Sequence, residues 1–333
     1  MEPFRQRWPW IGPDLQTLRD TLVPPRPAAD GAAPLALAVE QLLVLCDPPL
    51  HLHEGIRGWV VLVHGLGGSA GSGGLRRLGR CLQAAGFGVW RLNLRGAGAG
   101  RSLAPGSYAA ACNADLLPVL ADLRRRAGAL PLLGVGLSLG GTVLLNAALA
   151  RPGALDGLVA VSSPLDLGGC AARIDQPRNR LYQRWLLRGL IRQTLADPFG
   201  LSTAERRALS GPGRPRSIRA FDAVITAPRW GYPSVDAYYH QASPLPRLLA
   251  GAPVPPLLLV HALDDPWVPA DAARQLAATP PPGLEVLLSR HGGHNGFHGV
   301  GDAAGSWADR QVAQWLRRLA GPAAAGSAGG AGC

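Results

Sequence analysis

The chain has 333 residues, of which 47% are apolar and 17% are charged, a composition that suits a folded protein with a sizeable buried core. Its formal charge is +11, but every basic residue is Arg, and the arginines are scattered with no basic tail or aromatic-basic motif. We therefore predict no nucleic-acid partner. The absence of Lys also excludes a P-loop and a pyridoxal Schiff base.

The beginning of the chain is rich in Pro and lacks an apolar leader, so we interpret residues 1–34 as an irregular arm packed on the core. The five Cys residues include no C-x-x-C pair, which favours reduced thiols and a cytoplasmic protein. Two strands are predicted next, over residues 35–45 and 50–53. His51 and His53 share one face of the second strand, but no third ligand lies nearby, and an ordinary edge strand is the preferred interpretation.

From residue 59 onward, apolar runs of strand length alternate with helical patterns. The predicted strands cover residues 59–64, 88–94, 131–135, 158–161, 257–261 and 284–288. The predicted helices cover residues 75–85, 115–127, 138–150, 271–278 and 307–319. Continuous apolar strands are typical of a parallel sheet buried on both faces, so the pattern predicts a doubly wound α/β core over residues 35–164 and 246–320. The Gly/Ala-rich residues 321–333 are predicted to be a disordered tail.

The alternation is interrupted over residues 165–245, which we interpret as a helical lid inserted at the carboxyl ends of the strands. Three large apolar side chains of this insertion are predicted to contact the substrate: Trp185, Leu186 and Trp230.

The clearest helical pattern of the insertion covers residues 179–195. Four arginines recur there at four-residue spacing: Arg180, Arg184, Arg188 and Arg192. This stripe is interpreted either as an ordinary solvated face or as a surface that brings the lid to anionic lipid, giving peripheral membrane contact.

A serine turn lies between the strand predicted at 131–135 and the helix predicted at 138–150. Residues 134–141 have the sequence G-V-G-L-S-L-G-G, which places Ser138 in a G-x-S-x-G nucleophile elbow. The flanking glycines leave room for neighbouring backbone, and the Leu139 amide can donate to an oxyanion. The sequence H-G-L-G-G at residues 64–68 offers a second donor, the amide of Leu66.

A serine nucleophile needs a base and an acid that orients the base. Asp265 follows the strand predicted at 257–261 in a D-x-x-V-P sequence, and we prefer it to Asp264 and to Asp166. His294 lies in a glycine-rich loop after the next strand, and we prefer it to His291. The resulting order Ser138, Asp265, His294 is that of α/β hydrolases.

The spacing of His294 and His298 lacks the glutamate and helix of a zinc-protease motif, so no metal and no cofactor are predicted.

Several motifs together resemble the YheT-like branch of α/β hydrolases, along nearly the whole chain. They are residues 14–17 of the arm, 64–69, 93–96, 138–141, 221–239 of the insertion, 264–266 and 291–297. This branch also contains membrane-tethered eukaryotic lipases and yeast medium-chain ethyl ester synthases. The chain departs from it in having Thr142 where the branch usually has Asn, and in lacking the eukaryotic tether.

The resemblance implies an α/β-hydrolase fold and carboxylic esters of short to medium acyl chains as substrates, lipid esters among them. The sequence thus predicts a serine ester hydrolase that works through an acyl-enzyme. Acyl transfer to an alcohol acceptor through the same intermediate is one alternative, and a non-catalytic binding module on the same fold is another. No oligomeric state is predicted.

Overall fold

The computed structural model describes residues 3–24, 31–37, 41–50, 55–211, 213–302 and 305–323. His51, His53 and nearly all of the strand predicted at 50–53 lie outside the described residues, as does most of the predicted tail.

In the described part of the chain, eight strands form one sheet. They are β1 (Ala33–Leu35), β2 (Leu43–Asp47), β3 (Trp59–Val63), β4 (Gly88–Asn93), β5 (Leu132–Leu137), β6 (Gly157–Val161), β7 (Leu257–Ala262) and β8 (Leu284–Ser289). Their order across the sheet is β1-β2-β4-β3-β5-β6-β7-β8. Strands β3 to β8 all run parallel to their neighbours in this set, whereas β1 and β2 add an antiparallel edge beside β4. The predicted α/β-hydrolase fold, a mostly parallel and doubly wound sheet, is confirmed.

The described residues form thirteen α-helices. They are α1 (Pro13–Leu22), α2 (Gly73–Ala84), α3 (Asn113–Ala127), α4 (Leu139–Ala150), α5 (Leu167–Ile174), α6 (Arg180–Leu195), α7 (Thr203–Leu209), α8 (Ile218–Phe221), α9 (Ala227–Arg229), α10 (Val235–Ala242), α11 (Leu245–Leu249), α12 (Asp271–Ala278) and α13 (Trp307–Ala320). A π-helical turn over Asp222–Thr226 joins α8 to α9. No helix in the described ranges is both long and apolar enough to cross a bilayer.

The two faces of the sheet carry separate hydrophobic clusters because side chains alternate along a strand. In β3, Val61 and Val63 pack in the cluster that contains α3 and α4, whereas Val60 and Leu62 pack in the cluster with α2 and α13. Both faces of the central strands are therefore covered, as their unbroken apolar runs predict.

Helices α5 to α11 occupy the interval between β6 and β7 where the sequence predicts an insertion. Within it, α6 buries Leu187, Leu190 and Ile191 against Phe221 and Ile225, in a cluster separate from those on the sheet. The action of this segment as a lid stays a prediction.

Two local predictions were wrong. The arm predicted as irregular contains α1, which begins at a Pro, a residue whose fixed φ suits the first helical position. In place of the single strand predicted at 35–45 there are two short antiparallel strands, β1 and β2, with Ala33 opposite Cys46. The hydrophobic pattern of a short segment does not reveal where the chain reverses direction.

The cysteines differ in state. Cys81, Cys112 and Cys170 are free, but Cys46 is disulfide-bonded. The prediction that all thiols are reduced was therefore wrong for Cys46, because spacing along the chain does not show which thiols meet after folding. The cytoplasmic location stays a prediction.

Candidate active site

Ser138 lies at the turn from β5 into α4, with φ 53° and ψ −127°. A positive φ is costly for a residue with a side chain, by about 1–3 kcal/mol, and the surrounding backbone must enforce it. The Ser138 amide donates to the Val161 carbonyl at 2.8 Å. A Cβ at Gly136 would lie 2.2 Å from the Gly141 nitrogen, and one at Gly140 would lie 2.3 Å from the Val63 carbonyl oxygen. Only glycine fits at these two positions.

The three preferred candidates form a continuous chain of hydrogen bonds. His294 Nε2 lies 2.9 Å from Ser138 Oγ, and His294 Nδ1 lies 2.8 Å from Asp265 Oδ2. The other carboxylate oxygen of Asp265 accepts from the amides of Trp267 at 2.8 Å and Val268 at 3.0 Å. Because Asp265 accepts from Nδ1–H, the neutral imidazole presents a free lone pair at Nε2 to the serine hydroxyl.

The surroundings keep the acid ionised and the imidazole in place. Burial acts to raise the pKa of Asp265, but the adjacent His294, together with His261 and the Val268 amide, holds that pKa below its ordinary value. The Trp267 ring lies over the imidazole of His294, with 4.5 Å between ring centroids. The arrangement can therefore take a proton from Ser138 and stabilise the imidazolium that results.

The competing candidates have other contacts. Asp264 Oδ1 accepts from the Gly293 amide at 2.9 Å, and its Oδ2 lies 3.2 Å from Nδ1 of the exposed His291. Asp166 caps α5 by accepting from the Gly169 amide at 3.1 Å. None of these side chains joins the hydrogen-bond chain to Ser138.

Both predicted oxyanion donors border the cavity beside Ser138. Leu139 is the first residue of α4, so its amide has no acceptor within the helix. The carbonyl of Gly65 accepts from His64 Nδ1 at 2.8 Å and from the Tyr108 hydroxyl at 3.2 Å. Since C=O and N–H point in opposite directions across a trans peptide, these bonds fix the direction of the Leu66 amide.

His64 is neutral, because burial lowers its pKa to about 4 despite its hydrogen bond to Gly65. Its Nε2 accepts from the Leu94 amide at 3.2 Å. Tyr108, whose hydroxyl also accepts from the Gly67 amide at 2.8 Å, was missed in the sequence. No local pattern marks a Tyr in a loop as the partner of a distant carbonyl.

A cavity of about 250 Å³ opens on Ser138 and His294 and has mainly apolar walls, including Leu186 and Leu190 of α6. Of the three predicted substrate contacts, only Leu186 lines it. Trp185 is 59% exposed on the outer side of α6, and Trp230 packs elsewhere, donating from its indole to the Ser107 carbonyl at 2.9 Å. Successive helical residues point about 100° apart, so side-chain size could not predict which one faces inward.

The cavity wall also contains one carboxyl group to which the sequence analysis assigned no role, although it lies in the motif segment 221–239. Asp222 lies in the π-helical turn and accepts from the hydroxyls of Thr226 at 2.6 Å and Tyr239 at 2.8 Å. Within the described ranges it has no ion-pair partner, and burial raises its pKa to about 6. Its ionised form is therefore disfavoured in the folded protein.

Comparison with known proteins shows which family the chain belongs to. A family model described as the alpha/beta hydrolase fold matches residues 58–299. YheT of Escherichia coli K12, whose name describes an esterase, is 32% identical over 269 residues, which are 77% of this chain and 76% of YheT. Human phospholipase ABHD3 is 26% identical over 81% of this chain and 66% of its own length.

Among solved structures, a soluble variant of the Saccharomyces cerevisiae monoglyceride lipase superposes with a TM-score of 0.54 at 19% identity. The alignment covers 88% of this chain and 94% of the lipase, and at that identity it supports the fold alone. The chain belongs to the α/β-hydrolase fold family. Within that family it belongs to the YheT-like branch, which its motifs predicted.

The charge of Asp222 makes stability depend on pH. The pKa of about 6 in the folded state lies above the ordinary 3.8. The contribution of the protonated carboxyl to the free energy of unfolding is therefore complete below pH 3.8, falls as the pH rises above that value, and is lost once the pH has passed about 6. Asp222→Asn cannot ionise. We therefore expect its free energy of unfolding, relative to the parent protein, to increase by about 2 kcal/mol between pH 4.5 and pH 8 in denaturant titrations. If the difference in unfolding free energy between Asp222→Asn and the parent protein stays the same across this range, ionisation of Asp222 does not destabilise the folded state.

Proposed function

We propose that the chain is a serine carboxylic-ester hydrolase that works through an acyl-enzyme. In the proposed first step Ser138 Oγ attacks the acyl carbon while His294 Nε2 takes its proton, and the alcohol leaves with that proton. Asp265 holds the imidazole and stabilises its cation. The amides of Leu66 and Leu139 would donate to the oxyanion. The observation that carries this proposal is the 2.9 Å contact between His294 and Ser138.

Water then opens the acyl-enzyme by the reverse sequence of proton transfers through His294. An alcohol acceptor would enter by the same route and form a new ester, so acyl transfer differs from hydrolysis only in the second substrate. A non-catalytic binding module would not require this order of donor and acceptor among Ser138 and the two buried side chains of His294 and Asp265. Ester hydrolysis is therefore the better-supported function.

The cavity walls support esters with short to medium acyl chains as substrates. Leu186, Leu190 and Phe221 present apolar surface near Ser138, and each methylene buried there contributes about 0.8 kcal/mol. The named activity of the human relative, a phospholipase, extends this proposal to lipid esters.

Replacement of the nucleophile tests the proposal. Ser138→Ala is expected to lower ester turnover by about 10⁴-fold or more, because the serine and its base act as one unit. Labelling by a fluorophosphonate probe should disappear in the same variant, while the unfolding midpoint should stay within a few degrees of the parent value, about that of an ordinary surface substitution. Substantial turnover by folded Ser138→Ala would sink the assignment.

The two adjacent acids provide a matched comparison. Asp265→Asn is expected to reduce kcat by about 10⁴-fold, because an amide favours the wrong tautomer of His294. Asp264→Asn keeps an oxygen that can accept from the Gly293 amide, so its loss should be about tenfold or less. Steady-state kinetics on one soluble ester would rank them, and the reverse ranking would move the acid to Asp264.

A second candidate role concerns the outer face of α6, which we propose as a surface for anionic lipid. Arg180, Arg184, Arg188 and Arg192 are exposed, and none of them forms an ion pair within the described ranges. Leu181 and Trp185 beside them are 76% and 59% exposed. Exposed arginines interleaved with large apolar side chains are typical of helices that lie at a membrane interface.

Because α6 has a cavity face and an outer face, variants on the two faces should behave differently. Arg184→Glu combined with Arg188→Glu should reduce hydrolysis in anionic vesicles by about tenfold or more at low salt, with the deficit shrinking as salt is added. Turnover of soluble esters should not change.

Leu186→Ala is the matched control on the other face of α6. It should shift the preferred acyl length on a panel of soluble esters, because it removes apolar wall from the cavity. Its relative activity on anionic and neutral vesicles should equal that of the parent protein. If both variants leave chain-length preference and vesicle activity unchanged, α6 contacts neither substrate nor membrane.

A further inference from the structure

The loop that carries His294 has an unusual backbone. Gly293, Asn295 and Phe297 all have positive φ, at 57°, 56° and 51°. A positive φ is unfavourable for the two residues with side chains, so the conformation persists only where neighbouring groups impose it. The contacts of this loop therefore decide where the imidazole lies.

One of those contacts comes from α1, far away in the sequence. The His294 amide donates to Thr17 Oγ1 at 2.9 Å. The Thr17 hydroxyl in turn donates its only proton to the Pro13 carbonyl at 2.7 Å, which leaves its oxygen to accept. Thr17 thus holds the backbone of the very residue whose side chain faces Ser138.

The preceding residue holds the other end of the loop. Gln16 is fully buried, and its amide nitrogen donates to the Trp10 carbonyl at 2.6 Å and to the His298 carbonyl at 2.8 Å. Its amide oxygen accepts from the His298 nitrogen at 2.7 Å. This pair of bonds to one residue fixes the backbone of His298 in both position and direction.

The close packing of α1 on the loop explains two of the loop's glycines. A Cβ at Gly293 would lie 2.4 Å from the Pro13 carbonyl oxygen, and one at Gly296 would lie 2.4 Å from the Gln16 carbonyl oxygen. On the opposite side, the Gly293 amide bonds to Asp264 and the Asn295 amide to Ser162 at 3.2 Å. The loop is held between α1 and the ends of β6 and β7.

We propose that Thr17 and Gln16 are positioning residues for His294, and that α1 acts as a clamp that sets the imidazole within reach of Ser138. This inference rests on the proposed function. Neither residue lines the cavity. Loosening the clamp should therefore lower the rate of the chemical step and leave substrate binding unchanged.

Thr17→Val, which keeps the side-chain shape and removes the hydroxyl, is the decisive variant. Its kcat on a soluble ester and its rate of fluorophosphonate labelling should both fall by about 10- to 100-fold, because small displacements of a catalytic group are costly. KM should stay within about twofold of the parent value, since no binding group changes.

Thr17→Ser is the matched control, because it restores the oxygen that accepts from His294 and should restore most of kcat. The downfield proton resonance of His294 Nδ1–H supplies a readout independent of turnover. It should be retained in Thr17→Ser and should broaden in Thr17→Val. If Thr17→Val does not fold, Gln16→Met, which keeps length but removes all three side-chain bonds, takes its place with the same expectations.

The outcomes separate the two proposals. If the parent protein hydrolyses no ester and labels at no serine, the proposed function fails. If the parent is active and labelled but Thr17→Val matches it, the clamp is overturned while the function stands. A rise in KM at constant kcat, or equal impairment of Thr17→Val and Thr17→Ser, would likewise reject positioning through this hydroxyl.

Discussion

The hydrogen bond between His294 and Ser138 is the contact on which the rest of the site depends, and its partners lie 156 residues apart in the chain. Ser138 is presented by a turn that β5 and α4 hold at a positive φ. His294 is presented by a loop with two further non-glycine residues at positive φ. Each conformation is unfavourable in isolation. The contact can exist only because the sheet and its flanking segments impose both conformations together.

Close contacts between backbone segments impose these two conformations. At the elbow, Gly136 and Gly140 leave no room for a Cβ, and the same is true of Gly293 and Gly296 where α1 meets the loop. Between these crowded points, hydrogen bonds give direction: the Gly65 carbonyl orients the Leu66 amide, and Thr17 orients the backbone of His294. The glycine-rich motifs are thus places where two segments of backbone touch, and their positions define the geometry of the site.

The inserted helices add a different kind of constraint, because α6 has one face on the cavity and another in solvent. Leu186 and Trp185 are neighbours in the sequence, yet only Leu186 contributes to the cavity wall. Asp222 brings an acidic group into a mainly apolar cavity, where the hydroxyls of Thr226 and Tyr239 are its hydrogen-bond partners. A substrate in this cavity would therefore meet mainly apolar surface, with Asp222 as the one carboxyl group of the wall.

The class of fold could be predicted from the sequence, because continuous apolar strands alternating with helices indicate a parallel sheet covered on both faces. It also determined Ser138, Asp265 and His294 as candidates, since each follows a strand at the same edge of a parallel sheet. Which residues meet across long separations became clear from the folded structure alone. The roles of Tyr108, Asp222 and Thr17, the helical state of the arm and the outward position of Trp185 depend on packing between distant segments. Such contacts leave no periodicity or spacing along the chain from which they could be read.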